Sequence, residues 1–162
     1  TINNGVPMRG WYDIVGMDFR SRADMAGVQE SVVQLDALIA REIERGVAAD
    51  HIFLAGFSQG GAVILSAALA RTAPLAGLIA LSTYLPEAET ASRVDGAVDV
   101  PVFMAHGSSD PVIPQAVAAH SAETLRTLGL EVQWHSYPMA HQVCAEEIDA
   151  LGDWLQARLG VA

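Results

Sequence analysis

The stretch His51-Ile52-Phe53-Leu54-Ala55-Gly56-Phe57-Ser58-Gln59-Gly60-Gly61-Ala62 decides the fold. It joins a short continuous apolar run to a serine between glycines, and then to a run rich in Ala, Leu and Ile that extends to Arg71. The first part reads as a parallel strand covered on both faces, and the last as a helix. Gly56 and Gly60 allow a sharp turn without Cβ clashes and leave the Ser58 hydroxyl exposed at the helix N-terminus. There the first free amides and the helix dipole favour developing negative charge. Such a Gly-x-Ser-x-Gly string arises by chance in about one chain in twenty, so the strand-turn-helix setting carries the inference.

Upstream of this stretch, Met25, Val28, Val32, Leu35, Ile39 and Ile43 recur at intervals of three and four, which predicts a helix from about Asp24 to Arg45 ended by Gly46. Strands are expected over Ile52 to Phe57, Leu75 to Ser82, Val100 to His106 and Glu131 to Tyr137. Helices are expected over Gln59 to Arg71, Gln115 to Leu128 and about Ala145 to Leu159. The irregular stretch Thr83 to Asp99, with Pro86 and Gly96, reads as a surface excursion. Alternating strands and helices imply right-handed crossovers, a mostly parallel sheet and a three-layer α/β architecture. With no repeat, low-complexity tract or linker, residues 1–162 read as one domain.

Composition narrows the function. The formal charge of −10, with all basic residues being scattered arginines, disfavours nucleic-acid backbones and anionic membrane surfaces. No apolar run reaches the length of about 18 residues that spans a bilayer, so stable membrane insertion is not expected. The single Cys144 cannot form an internal disulfide, and with the separated histidines it makes no structural metal site; a reducing, cytoplasmic setting is expected. The opening Thr1-Ile2-Asn3-Asn4-Gly5-Val6-Pro7 is turn chemistry without a signal-peptide pattern, and its lack of an initiating Met implies a preceding segment.

In an open parallel sheet, ligands bind beyond the carboxyl ends of the strands. Three polar residues follow strands in a telling order: Ser58, Asp110 in Gly107-Ser108-Ser109-Asp110-Pro111, and His141 in Pro138-Met139-Ala140-His141. A serine attacks at neutral pH only if a base takes its proton, and that base must be held in one tautomer by a buried carboxylate. Ser58, His141 and Asp110 fit these roles, and the order Ser, Asp, His is that of an α/β-hydrolase. Asp95 and Asp99 lie at the wrong end of their strand. His51 at a strand start, His120 in a helix and His135 in the last strand read as structural. His106, beside the acid loop, could support it, though it reads more readily as a packed strand-end residue, and Cys144 reads as a small packed one. The amide of Gln59 is one expected oxyanion donor; a second normally comes from an earlier His-Gly-type loop, which this sequence lacks.

Several ordered blocks together resemble the bacterial carboxylesterases and acyl-protein thioesterases of the phospholipase/carboxylesterase family. They are Trp11-Tyr12-Asp13-Ile14, Ile52 through Ala62, Ala80-Leu81-Ser82-Thr83-Tyr84-Leu85-Pro86, His106 through Pro114, and Tyr137-Pro138-Met139-Ala140-His141. The resemblance implies an α/β-hydrolase fold with Ser58 as nucleophile, Asp110 as orienting acid and His141 as base, and it places Trp11, Tyr84 and Leu85 near an acyl-binding groove. It also implies that roughly a further quarter of chain, with the first strands and a His-Gly-x-Gly oxyanion loop, precedes the segment that begins here. The expected activity is hydrolysis of short- to medium-chain carboxylic esters or thioesters through an acyl-enzyme, without metal or organic cofactor. The alternative is a truncated, non-catalytic hydrolase scaffold. A lipase is disfavoured because no amphipathic lid is evident. The expected partner is a small acyl ester or thioester, and a homodimer is left open.

Overall fold

The computed structural model describes residues 9–16 and 23–160. The opening stretch of residues 1–7, read as turn chemistry, lies outside them. Four strands, β1 (Phe53–Phe57), β2 (Gly77–Leu81), β3 (Val102–Gly107) and β4 (Val132–Tyr137), pair in parallel in the order β1-β2-β3-β4. Helices α1 (Met25–Glu44), α2 (Gln59–Ala70), α3 (Gln115–Thr127) and α4 (Ala145–Leu159) cover the two faces.

Side chains alternate across the sheet, as period two requires. Leu54, Leu78, Ala80, Val102, Met104 and Val132 enter the main core with Ile64, Leu65 and Ala68 of α2 and Ala118, Ala122 and Leu125 of α3. Ile79, Phe103 and Ala105 face the other way and meet Trp154 of α4. Helix α2 is buried almost all round because α1 packs over its outer side through Val28 and Val32, which meet Ala62, Val63 and Ala67. Its apolar composition on every face has that cause. Asp24 caps α1 by accepting a hydrogen bond from the Ala26 amide (3.2 Å).

Two expectations change. His51 does not begin a strand: Ala49–His51 form a short 3₁₀ turn, and the exposed imidazole meets Asp50 at 2.9 Å. The stretch after β2 is not a surface excursion throughout. Thr83, Tyr84, Leu85, Pro86 and Ala88 are buried, with Leu85 and Ala88 in the main core. Glu87 is exposed among them, and the part beyond carries the exposed Asp95 and Gly96. The sequence signal was Pro86 and its acids, whereas burial follows from the place the segment takes over α3, where the Leu85 amide donates to Ser121 Oγ at 2.9 Å.

Candidate active site

Ser58 caps α2 immediately after β1, at φ 53° and ψ −118°. A non-glycine residue at positive φ is strained and persists only where its surroundings hold it there. Here a Cβ on Gly56 would collide with the Gly60 backbone, so the strand-to-helix turn closes only with glycine. The Ser58 amide donates to the Leu81 carbonyl (3.0 Å) and Thr83 Oγ1 donates to the Ser58 carbonyl (2.6 Å). The end of β2 thus brackets the serine on both sides.

Asp110 follows β3 in a tight loop. Its side chain is wholly buried, and Oδ1 accepts from the amides of Val112 (2.8 Å) and Ile113 (2.9 Å). Oδ2 accepts from His141 Nδ1 at 2.7 Å. Burial pushes the Asp110 carboxyl up, but the Ile113 amide, His141 and the Val112 amide together outweigh it and hold the group below the usual carboxylate range. An ionised carboxylate only accepts, so the Nδ1 of a neutral His141 carries the proton and Nε2 presents its lone pair. That lone pair lies 3.1 Å from Ser58 Oγ.

The loop carrying His141 is built against the acid loop. The amides of Ser108 and Ser109 donate to the Tyr137 and Met139 carbonyls at 2.8 and 3.1 Å. A Cβ on Gly107 would strike the Met139 and Ala140 carbonyls, so glycine lets the two loops touch. Ser82 Oγ donates to the Gln142 carbonyl at 3.3 Å, tying this loop to β2 as well. The ring of Phe57, itself 41% exposed, lies 4.8 Å from that of His141. The arrangement can move the Ser58 proton to His141 while Asp110 balances the charge that forms.

The structure therefore brings Ser58, Asp110 and His141 together in hydrogen-bonded order. Gln59 is the first residue of α2, where backbone amides have no acceptor within the helix. Its side chain takes part as well: Oε1 accepts from the Trp11 amide (3.2 Å) and Nε2 donates to the Tyr12 carbonyl (2.8 Å), clasping that segment to the elbow. Trp11 is 46% exposed, its indole over Gly60. Tyr84 and Leu85 are buried rather than exposed beside the serine: Leu85 is in the main core, and the Tyr84 hydroxyl is 3.4 Å from that of Tyr12. Asp95 and Asp99 are exposed, and Asp99 pairs with Arg93 at 2.8 Å. His120 is exposed on α3, while His135 stacks on Phe103 with centroids 4.7 Å apart.

Sequence reasoning missed Ser82 and Thr83, which hold the histidine loop and the serine turn. Both directly follow a strand, the position that singled out the other three. Among the described residues, no helix is long and apolar enough to cross a membrane.

Known proteins share this architecture. A protein from Neurospora crassa described as acyl-protein thioesterase 1 is 40% identical over 169 aligned positions, covering 98% of this chain and 69% of the relative. Its namesake from Gibberella zeae is 37% identical, covering 98% and 72%. The crystal structure of Arabidopsis thaliana SOBER1 superposes with a TM-score of 0.86 at 27% identity, over 97% of this chain and 77% of that one. The profile of the family described as Phospholipase/Carboxylesterase matches residues 1–159, and the chain belongs to that family of α/β-hydrolases.

Proposed function

We propose that this chain is a serine hydrolase that cleaves short- to medium-chain carboxylic esters or thioesters through an acyl-enzyme. The observation that carries the reading is the continuous hydrogen-bonded order from Asp110 to His141 to Ser58, at 2.7 and 3.1 Å. Ser58 Oγ attacks the acyl carbonyl as His141 Nε2 takes its proton, and Asp110 stabilises the imidazolium. The Gln59 amide, at the positive end of α2, donates to the oxyanion. His141 then gives the proton to the departing alcohol or thiol. Water, activated by the same imidazole, hydrolyses the acyl-enzyme and returns Ser58.

The exposed rings of Trp11 and Phe57 offer apolar surface for the acyl chain beside the serine. The relatives described as acyl-protein thioesterases favour a thioester among the substrates. A cytoplasmic setting belongs to the same proposal and rests on the lone cysteine. Purified protein is expected to hydrolyse p-nitrophenyl acetate and a short acyl thioester, with turnover lost in Ser58→Ala. Parent-like turnover in that variant would refute the reading.

A further inference from the structure

We propose that His106 is a positioning residue for the acid of this site: it locks the Asp110 turn by donating its Nε2 proton to the Ile113 carbonyl. The inference rests on the reading of Ser58, Asp110 and His141 given above. His106 lies near the end of β3, and its side chain is completely buried. Its Nε2 is 2.9 Å from the Ile113 carbonyl oxygen and 3.3 Å from Asp110 Oδ2. A carbonyl only accepts, so Nε2 bears the proton. The Ile113 residue is consequently held from both sides, its amide given to Asp110 Oδ1 at 2.9 Å and its carbonyl taken by His106. The second oxygen of Asp110 is the acceptor of His141. Rotation of the carboxylate would therefore break either the turn or the bond that sets the His141 tautomer.

Simple packing does not account for this residue. Its Nδ1 is buried with no hydrogen-bond partner among the described residues, a cost that a phenyl ring of similar shape would avoid. The imidazole stacks on Trp134 of β4, centroids 6.2 Å apart and planes 17° from parallel, which fixes the direction of Nε2. Burial pushes its pKa down despite the adjacent carboxylate, so the ring stays neutral and does not compete as a cation with His141 for Asp110.

The test uses histidine-labelled full chain studied by NMR together with esterase kinetics. In the wild-type protein His106 is expected as the neutral Nε2–H tautomer, and the Nδ1–H of His141 as a downfield resonance from its short bond to a carboxylate. His106→Phe should lose or strongly displace that resonance and lower kcat by about ten- to a hundred-fold, with KM within about twofold. His106→Gln, whose amide nitrogen can reach the same carbonyl, should keep the resonance and hold kcat within about threefold of the parent. A folded His106→Phe variant with an unchanged His141 resonance and unchanged kcat would overturn the proposal. So would a wild-type His106 protonated on Nδ1, a result that needs no variant to fold. Absence of esterase activity in the wild type would instead count against the hydrolase reading, and the NMR results would still decide the role of His106.

Discussion

Ser58 and Asp110 both stand just beyond the carboxyl ends of parallel strands, yet their turns are held in different ways. The serine turn depends on close backbone approach: a residue at φ 53°, and a glycine at Gly56 where any Cβ would meet Gly60. The aspartate turn has no positive φ and is held by hydrogen bonds, two amides on Oδ1 and the His106–Ile113 link behind them. One end of the site is shaped by what cannot fit, the other by what must be paired. The serine is thereby presented to solvent in a fixed, strained pose, while the acid is withdrawn from water and kept ionised by local donors. Substitutions at the two ends should accordingly fail in different ways.

The largest effect is expected at the polar end. Asp110→Asn keeps the shape of the side chain but offers His141 Nδ1 an amide in place of a charge, and kcat should fall by about 10³- to 10⁴-fold in steady-state assays. Circular dichroism of the same variant should remain native-like. At the steric end, Gly56→Ala should instead damage folding itself. The added methyl has only backbone to displace, so a loss of about 3 kcal/mol or more in urea unfolding is expected, with soluble yield falling alongside activity.

Thr83→Val sharpens the comparison, because it removes a polar brace from the sterically built turn. The Ser58 carbonyl keeps its bond from the Ala62 amide (3.2 Å), so the stability cost should be about 1 kcal/mol. Loosening of the serine should lower kcat by roughly tenfold with little change in KM.

The smallest effect concerns Glu147 in the first turn of α4. Its side chain is buried, neither oxygen makes a well-formed hydrogen bond among the described residues, and burial, opposed only by the nearby Cys144 backbone, pushes its carboxyl above the usual range. The folded state therefore holds a proton that the unfolded chain releases. Stability falls as pH rises from the ordinary glutamate value to the raised one, and stays lower above it. Glu147→Gln should raise neutral-pH stability by about 1 kcal/mol, or about 2–4 °C in thermal melts, with the gain vanishing at acid pH.

These two modes of support also explain what could be read from the sequence. Steric requirements leave glycines, and Gly56-Phe57-Ser58-Gln59-Gly60 was legible because the turn admits few other residues. Asp110 and His141 were legible through their places after β3 and β4. The hydrogen-bonding residues were less so: Ser82 and Thr83 act through one atom each, and His106, though legible as a neighbour of the acid loop, reads more readily as packing, because a serine, threonine or histidine at a strand end has many ordinary uses. The buried part of the stretch after β2 was hidden for a related reason. Pro86 and the acids nearby signal irregular backbone, but irregular backbone can still lie in the core once partners such as Ser121 Oγ satisfy its amides. His51 misled because its strand was extended back across a short 3₁₀ turn, whose residues carry no periodicity.

The central claim, that His141 and Asp110 make Ser58 an activated nucleophile, is tested most directly by a fluorophosphonate probe with peptide mass spectrometry. The account predicts one adduct per chain on the peptide containing Ser58, absent in Ser58→Ala and greatly slowed in His141→Ala. An unlabelled wild-type protein, or labelling that proceeds equally fast without His141, would contradict it.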